Sequence, residues 1–436
     1  MPDGLALPPD AVTELHDFMA RFAAIGATAD GGVTRLAASA EDGQARDLLC
    51  RWLRERDFTV AVDGVGNIFG CLDLGENTDG GAVYCGSHID SQPNGGRFDG
   101  TYGVVAACCA ALAIRQQIRG GRLVPRLRYL VVVAWTNEEG ARFQPSLLGS
   151  SVFTAALPPD QALAVTDGAG ISLEAALTEI GYLGSDSSPA EPTCYVELHV
   201  EQGAELERAG HHVGIVTHCW GARKFQTRFL GKPDHTGPTP MARRRDALRA
   251  ASLLIAEVSD RALASEGRLH GSVGRLLVEP NSPNVVPQSA TLWVELRAGE
   301  EQELDAAESG FHAALARICE ATGCRVKIER SSRRKVQSFD ERGVEVARAA
   351  LEPLGLDVMT MATIAGHDAL AIQERFPATL LFVPSVDGVS HSPQEYTRDE
   401  DLETGLMTLI AVLSRLLSDA QGDASPEAMG ETGGRA

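Results

Sequence analysis

The sequence is poor in basic residues, with 39 Lys and Arg against 59 Asp and Glu and a formal net charge of -20. Nucleic acids and anionic membranes repel a surface of this charge unless a strong basic patch compensates for it. The run Arg243-Arg244-Arg245 is too short to form such a patch, and we interpret it as the solvated start of a helix. The composition therefore predicts no nucleic-acid partner and no membrane partner.

Paired cysteines, long apolar runs and a signal sequence are also missing. The nine cysteines are scattered and include no C-x-x-C pair, which argues against a disulfide framework and against a cysteine zinc site. No uninterrupted apolar run reaches the length of a membrane span, and the first residues, MPDGLALPPD, lack the basic and apolar regions of a signal peptide. We therefore expect a cytoplasmic protein with reduced thiols.

The apolar content is sufficient for more than one hydrophobic core. The chain has 436 residues, of which 44% are hydrophobic and 22% are charged, and this length exceeds the usual limit of a single core. Buried strands are predicted at 82–87 and 127–136, with an alanine-rich helix at 104–118 between them. This order is typical of an α/β domain with parallel strands.

A different pattern begins near residue 213. Four segments alternate between apolar and polar residues, at 213–218, 223–230, 271–279 and 289–298, and two helices are predicted at 243–264 and 301–322. Two helices against about four strands form an α/β sandwich. We therefore predict an α/β protein with two domains. A mostly parallel sheet flanked by helices is formed by 1–214 and 330–436, an inserted domain spans 215–329, and the tail 419–436 is disordered.

Four predicted strand ends carry side chains of the types that bind metals. These are His88 and Asp99 in GSHIDSQPNGGRFDG, Glu138 and Glu139 in AWTNEEGARF, His199 in YVELHVEQG and His391 in GVSHSPQEY. A single histidine at a strand end is more often a structural, hydrogen-bonded residue, and a Glu-Glu pair is more often a solvated turn. All four positions nevertheless fall at the carboxyl ends of strands in one sheet, where loops from distant parts of the chain converge. Together they predict a common site.

Three histidines and two carboxylates suit divalent ions of the zinc class, and this set is larger than one tetrahedral zinc requires. A bridging Asp99 resolves the surplus, with His88 and His199 on one ion and Glu139 and His391 on the other. We therefore predict two divalent metal ions, Zn or else Mn, Co or Ni. Such a pair polarises a carbonyl group and lowers the pKa of bound water to near neutrality.

Two further carboxylates are predicted to assist the metal site. Glu138 remains free beside the ions as a general base and later as a general acid. Asp90, two residues after His88, is placed to accept the other ring N–H of that ligand. The alternative for Asp90 is an aspartate that caps a turn.

These segments carry a family resemblance. The motifs G-S-H-I-D-S-Q-P, T-N-E-E-G-A-R-F, E-L-H-x-E-Q-G, H-T-G-P-T-P-M, N-V-V-P, E-L-R, A-G-H-D-A and G-V-S-H-S-P-x-E occur in this order between about 33 and 400. The set resembles the amidase branch of the dinuclear zinc aminoacylase and carboxypeptidase superfamily. That branch includes N-carbamoyl-L-amino-acid hydrolases, β-ureidopropionases, and allantoate and ureidoglycolate amidohydrolases. The resemblance implies a catalytic domain, an inserted dimerisation domain, a homodimer and hydrolysis of a ureido C–N bond.

The resemblance also implies roles for three residues of the inserted domain. His235 matches a histidine that reaches from the partner subunit toward the carbonyl oxygen of the substrate, and Asn284 matches an asparagine that acts similarly. Arg297 matches the arginine that binds the substrate carboxylate. The alternative for Arg297 is an ion pair on the surface of a strand.

Other matched positions lie around the predicted centre. Gln202 resembles a glutamine that contacts the substrate, while Gly366 and His367, in A-G-H-D-A, line or order the site. The chain departs from the family pattern with Glu295 where Asp is common and Ala365 where Gly is frequent. These departures leave the metal ligands intact but affect the predicted identity of the substrate.

The function expected from these residues is hydrolysis of an N-carbamoyl amino acid, of the L-α or β type, to the amino acid, ammonia and carbon dioxide. Alternatives within the same chemistry are an allantoate or ureidoglycolate amidohydrolase and an N-acyl-amino-acid or dipeptide hydrolase. The histidine at position 199 argues against the last of these. A non-enzymatic alternative is a metal-stabilised binding dimer, against which the retention of both Glu138 and Glu139 speaks.

Overall fold

The computed structural model describes residues 9–75 and 78–418, so the predicted disorder of 419–436 lies outside the described residues. Within them the α-helices are α1 (Pro9–Ala23), α2 (Ala40–Arg54), α3 (Thr101–Arg119), α4 (Leu148–Phe153), α5 (Pro159–Leu163), α6 (Leu173–Glu179), α7 (Glu205–Ala209), α8 (Ala247–Ala264), α9 (Glu301–Thr322), α10 (Glu341–Leu351), α11 (Asp368–Ile372) and α12 (Asp399–Ser418). The strands are β1 (Thr59–Val62), β2 (Ile68–Asp73), β3 (Asp79–His88), β4 (Leu127–Trp135), β5 (Pro192–Val200), β6 (Val213–Cys219), β7 (Gly221–Leu230), β8 (Leu269–Glu279), β9 (Ser289–Ala298), β10 (Arg325–Arg334), β11 (Gln337–Ser338), β12 (Val358–Thr363) and β13 (Ala378–Val383).

The chain forms two compact units. The first comprises the described residues up to Thr217, Phe339–Met361 and the described residues from His367 onward. The second comprises His218–Ser338 and Ala362–Gly366.

The first unit is built on a mixed sheet in the order β1-β2-β4-β3-β5-β13-β6. Its four central strands, β4, β3, β5 and β13, are parallel, and β1, β2 and β6 run antiparallel to their neighbours. The apolar run that ends β4 is buried from Leu130 to Trp135, which is typical of a parallel strand covered on both faces. The predicted α/β fold with a mostly parallel sheet is confirmed.

Helices α3 and α12 pack in the core of the first unit. Residues from Thr101 to Ala111 on α3 are all buried, and most of them are small, so the helix lies close to the sheet. On α12 the apolar residues from Leu402 to Leu417 belong to the same core. None of the helices within 9–75 and 78–418 combines the length and the apolar content that crossing a membrane requires.

The carboxyl ends of the parallel strands lie at one edge of the sheet. His88, the last residue of β3, is opposite Trp135, the last residue of β4. Val200 at the end of β5 is opposite Val383 at the end of β13. The four loops that follow these strands therefore start side by side, as the sequence predicts.

The second unit consists of an antiparallel sheet in the order β10-β7-β9-β8 with helices α8 and α9 packed against it. Its core includes Phe225 of β7 and Phe311 of α9, whose rings stack at 4.3 Å. Along β9 buried and half-buried residues alternate, because one face meets the helices. The predicted second α/β sandwich is confirmed.

Two strand assignments differ from the sequence prediction. The segment 213–218 is predicted in the second sheet, whereas β6 pairs antiparallel with β13 in the first sheet. The fourth strand of the second sheet is instead β10, which pairs with β7. Its sequence, RVKIERSSRR, shows little apolar alternation because β10 is an edge strand with many exposed residues.

Gly86 provides a test of the register between β3 and β4, because a Cβ atom at this position would overlap the carbonyl oxygen of Val133. We predict that Gly86→Ala lowers the free energy of unfolding by about 3 kcal/mol or more, since β4 cannot move away without loss of its pairing. Gly80→Ala on the same strand is the control, because no atom lies within 4 Å of that added Cβ. Urea unfolding measures both variants, and equal stabilities would contradict this register.

Candidate metal centre and active site

The five side chains predicted as metal ligands meet at the carboxyl edge of the parallel strands. They are His88 at the end of β3, Asp99 in the loop before α3, Glu139 after β4, His199 on β5 and His391 between β13 and α12. The carboxylate of Asp99 belongs to two groups of potential ligands, and each group contains two of the other side chains.

The two oxygens of Asp99 face different partners. Oδ1 lies 3.2 Å from Nε2 of His199 and 3.6 Å from Nε2 of His88. Oδ2 lies 3.2 Å from Nε2 of His391, which in turn lies 3.4 Å from Oε2 of Glu139. The first group is therefore His88, His199 and Oδ1, and the second group is Glu139, His391 and Oδ2. This is the arrangement of a bridging carboxylate.

The spacing of these atoms fits divalent ions. Two ligand atoms that each lie about 2.0 to 2.2 Å from a tetrahedral ion are about 3.3 to 3.6 Å apart. The Asp99 contacts, 3.2 to 3.6 Å, match this spacing. The two contacts of 3.2 Å also lie at the upper end of the hydrogen-bond range of about 2.7 to 3.2 Å, whereas the contact between His88 and Asp99, at 3.6 Å, lies beyond it. The donor set also suits zinc-class ions.

Backbone carbonyl groups orient the two histidines of the first group. Nδ1 of His88 lies 3.0 Å from the carbonyl oxygen of Asp90, and Nδ1 of His199 lies 2.8 Å from that of Val200. Each Nδ1 can therefore donate its hydrogen to a carbonyl oxygen, which leaves a lone pair on Nε2. This is the tautomer that a metal ligand requires. Nε2 of His199 accepts the backbone N–H of Gly100 at 3.1 Å with this lone pair.

The structure corrects which atom of Asp90 contacts His88. The sequence predicts that the carboxylate accepts the ring N–H, but Oδ1 is 3.6 Å from Nδ1 while the main-chain oxygen is at 3.0 Å. The carboxylate instead accepts hydrogen bonds from the backbone N–H groups of Glu138, at 3.2 Å, and Glu139, at 3.3 Å. The chain turns at Asp90 so that its carbonyl faces the ring, and its side chain fixes the loop after β4.

Glu138 lies at the margin of the first group. Its carboxylate is buried, with Oε2 at 3.6 Å from Nε2 of His88. Burial, and then the negative charges of Asp368 and Glu139, raise the pKa of Glu138 well above its ordinary value. A raised pKa makes this carboxyl group a stronger base than an ordinary glutamate, which suits a general acid or base.

Three non-glycine residues of the site have left-handed backbone conformations. They are Asn137 (φ 56°), Gln202 (φ 59°) and His391 (φ 53°). Such conformations are uncommon for residues other than glycine and cost free energy unless the surroundings hold them. Each of them lies on a loop that carries a predicted ligand or substrate contact. The side chains of Gln202 and His391 lie beside Asp99, whereas that of Asn137 donates to carbonyl oxygens of its own loop.

Gln202 and His367 also line the centre. Nε2 of Gln202 donates to Oδ2 of Asp99 at 2.8 Å and lies 3.2 Å from Oγ of Ser390, so its amide is beside the second group. His367 is buried at the start of α11, and its ring meets the ring of His199 edge-on at 4.6 Å.

The other predicted substrate contacts belong to the second unit. His235 is exposed and pairs with Val285, so that it lies beside the segment that contains Asn284. Arg297 on β9 donates from Nε to Glu295 at 3.0 Å and from Nη1 to the carbonyl oxygen of Ile364 at 2.6 Å. Gly366 lies two residues after Ile364. The roles of these four residues stay predictions.

Sequence reasoning missed two residues of the centre. Nε2 of Gln92 donates to Oε2 of Glu139 at 2.9 Å, and the carboxylate of Glu395 accepts the backbone N–H groups of Phe98 and Asp99. The sequence feature that could have identified these two residues is their position inside the motifs D-S-Q-P and S-P-x-E. Their contacts depend on how distant loops meet.

The site combines a carboxylate shared by two ligand groups with a buried glutamate, Glu138, at the edge of a parallel sheet. This combination is typical of dinuclear metal hydrolases. The family model described as Peptidase family M20/M25/M40 matches residues 84–415, and the chain belongs to this family. Members of the family generally bind two divalent metal ions.

Individual relatives narrow the class further. The chain is 35% identical over 382 residues to an N-carbamoyl-L-amino-acid amidohydrolase of Rhizobium meliloti, covering 87% of this chain and 90% of the relative. It is 34% identical over 410 residues to the allantoate amidohydrolase of Bacillus subtilis, covering 93% and 97%. The crystal structure of a hydantoinase/carbamoylase family amidase from Burkholderia vietnamiensis is similar with a TM-score of 0.89, 35% identity and coverage of 96% and 100%. The resemblance to this amidase branch is confirmed, and the chain is a hydrolase of amide C–N bonds.

We predict that the metal-free protein loses thermal stability as the pH rises from about 5 to about 9. Burial raises the pKa of Asp90 to about 7 and that of Glu139 to about 8, and the hydrogen bond to Asp99 raises the pKa of His391 to about 9. The folded state therefore binds more protons at these groups than the unfolded state. Their contribution to stability is complete below the unfolded pKa values and is lost as the pH rises through the folded values.

Calorimetry of chelator-treated protein at each pH measures this effect, and Co²⁺-loaded protein is the control. Bound cations favour ionised carboxylates and neutral imidazoles, so the loaded protein should show a flatter profile. His88 has the opposite effect on stability, because burial lowers its pKa from 6.5 to about 4. Its contribution to stability grows as the pH rises between these two values and does not change above pH 6.5. A gain of stability between pH 7 and pH 9 without metal would contradict the prediction.

Proposed function

We propose that the protein hydrolyses the ureido C–N bond of an N-carbamoyl amino acid of the L-α or β type. The products are the amino acid, ammonia and carbon dioxide. The observation that supports this most is the carboxylate of Asp99 between two ligand groups, with the buried carboxyl group of Glu138 only 3.6 Å from His88. Similarity to a carbamoyl-amino-acid amidohydrolase over 87% of the chain supports the same substrate class.

The ligand groups around Asp99 would hold the two divalent ions, as described for the candidate metal centre. When bound there, the ions polarise the ureido carbonyl group and lower the pKa of water in the site. Glu138 takes a proton from the attacking water and delivers it to the leaving nitrogen as the C–N bond breaks. Its raised pKa suits both transfers, because the group can hold the proton between them.

Hydrogen bonds keep Glu138 in place for these transfers. The carboxylate of Asp90 accepts the backbone N–H groups of both Glu138 and Glu139, so the base and a ligand of the second group are fixed by one side chain. Nδ2 of Asn137 donates to the carbonyl oxygen of Phe143, which closes the same loop. A reacting group held in this way needs little rearrangement during the reaction.

We propose that Arg297 binds the carboxylate of the substrate. A guanidinium group binds a carboxylate through two parallel hydrogen bonds, and the contact with Glu295 fixes the plane of this group. In a homodimer, His235 and Asn284 of the second unit would serve as donors to the carbonyl oxygen of the substrate. Each such donor typically contributes about 3 kcal/mol to stabilisation of the transition state.

Allantoate is the second candidate substrate, since the allantoate amidohydrolase relative is 34% identical and covers 93% of the chain. Ureidoglycolate and N-acyl amino acids or dipeptides are further alternatives. All ureido acids present the same scissile C–N bond, so the substrate is decided by the groups that bind the rest of the molecule.

A substrate panel tests the proposed function. We expect metal-reconstituted protein to release ammonia from N-carbamoyl-L-α-amino acids or N-carbamoyl-β-amino acids with a higher kcat/KM than from allantoate or ureidoglycolate. N-acetyl amino acids and dipeptides, assayed for the free amino acid, are the controls for plain amide hydrolysis. Absence of ammonia from every ureido acid with Zn²⁺, Mn²⁺ or Co²⁺ would contradict the proposal.

Replacement of Glu138 tests the mechanism separately from the metal site. We predict that Glu138→Gln lowers kcat by about 10²- to 10⁴-fold, the usual contribution of a general acid or base, while the protein retains both ions. Asp246→Asn is a matched control, because Asp246 accepts the backbone N–H groups of Leu248 and Arg249 at the start of α8 in the second unit. Unchanged turnover in Glu138→Gln with full metal content would remove Glu138 from the mechanism.

A further inference from the structure

Glu395 connects two loops of the metal centre. It is 4% exposed and lies between His391 and α12. Its Oε1 accepts the backbone N–H groups of Phe98 and Asp99, each at 3.0 Å, and its Oε2 accepts the hydroxyl of Ser390 at 2.9 Å. One carboxylate therefore joins the backbone at the bridging residue to the residue that precedes His391.

The loop before Asp99 is shaped around this carboxylate. Gly96 passes so close to Glu395 that a Cβ atom at position 96 would overlap the carboxylate carbon and both of its oxygens. Only glycine fits there without a shift of the Glu395 carboxylate or of one loop. The contact is thus a close and specific fit between two segments that are about 300 residues apart in the sequence.

The two ligand groups depend on different parts of the structure. His88 and His199 lie on strands β3 and β5 and are each 1% exposed, so the sheet holds the first group. The side chain of His391 is 48% exposed and comes from a loop, in which its own φ is 53°. The second group therefore relies on contacts between loops and within the loop of His391. Glu395 makes two contacts of the first kind, to Phe98 and Asp99, and one of the second kind, to Ser390.

We propose that Glu395 is a positioning residue that sets the affinity of the second group, formed by Glu139, His391 and Oδ2 of Asp99, for a divalent ion. Two of the three ligands of the first group, His88 and His199, are held by the strands. The first group therefore keeps its affinity in a variant that retains the hydrogen bonds to the backbone of Phe98 and Asp99. This inference rests on the proposed function, because it requires that the centre binds two ions.

The isosteric change Glu395→Gln isolates this role. The amide oxygen can still accept the N–H groups of Phe98 and Asp99, but the amide nitrogen cannot accept the hydroxyl of Ser390. That hydroxyl would turn toward Oδ2 of Asp99, which is 3.4 Å away, and would compete for the oxygen that the second ion needs. Glu395→Ala removes all three contacts and serves as the stronger variant.

The experiment is a titration of chelator-treated full-length protein with Co²⁺, followed by calorimetry and by the visible absorption of the ion. We expect two ions per chain for the wild type and for the control Asp246→Asn, which changes another carboxylate that accepts two backbone N–H groups. For Glu395→Gln we expect one ion with unchanged affinity and a second bound about 10- to 100-fold more weakly, the usual effect of an outer contact on metal affinity.

Equal binding of both ions in Glu395→Gln and wild type would overturn the inference, and so would an equal loss at both groups. A lower thermal stability with unchanged Co²⁺ binding would show a merely structural role and would also overturn it. If Glu395→Ala does not fold, Glu395→Gln alone decides. A folded wild type that binds no Co²⁺ would instead contradict the proposed function, so the two failures are distinguishable.

Discussion

The carboxylate of Asp99 is the constraint on which the rest of the site depends. Each of its oxygens faces a different pair of side chains, His88 and His199 on one side and Glu139 and His391 on the other. These partners come from four different strand ends, so only a sheet that aligns the carboxyl ends of its parallel strands can bring them together. The buried start of α3 follows directly and anchors the loop that carries Asp99.

The concentration of buried carboxylates makes the centre suited to cations. Uncompensated charges are costly to bury. Oδ2 of Asp368 accepts no hydrogen bond from the described residues, and the contact of Glu138 with His88 is 3.6 Å long. The buried acidic side chains around the centre are Asp90, Asp99, Glu138, Glu197, Asp368 and Glu395. Several of them are committed to structural contacts, such as that of Glu197 with Ser87 and the N-terminus of α11. The ligand oxygens of Asp99 and Glu139 each accept one amide hydrogen bond, from Gln202 and Gln92, and a carboxylate oxygen has a second lone pair for a positive ion.

The sequence predicted the main features of the site because they follow from local patterns. The buried run before Glu138 and the glycine-rich loop after His88 identify strand ends, and strand ends of a parallel sheet converge. The sequence could not show that the main-chain oxygen of Asp90 rather than its carboxylate contacts His88, since this depends on how tightly one turn folds. It could not reveal the contact of Glu395 with Asp99, which joins residues 296 positions apart. Strand β10 was missed because an exposed edge strand carries little apolar pattern.

Anomalous diffraction from crystals grown with Zn²⁺ or Co²⁺ would show whether Asp99 bridges two divalent ions. We expect two peaks per chain, each about 2.0 to 2.2 Å from a different oxygen of Asp99, one beside His88 and His199 and the other beside Glu139 and His391. Well-ordered crystals with no peak at Asp99, or with both ions bound away from its carboxylate, would contradict this expectation.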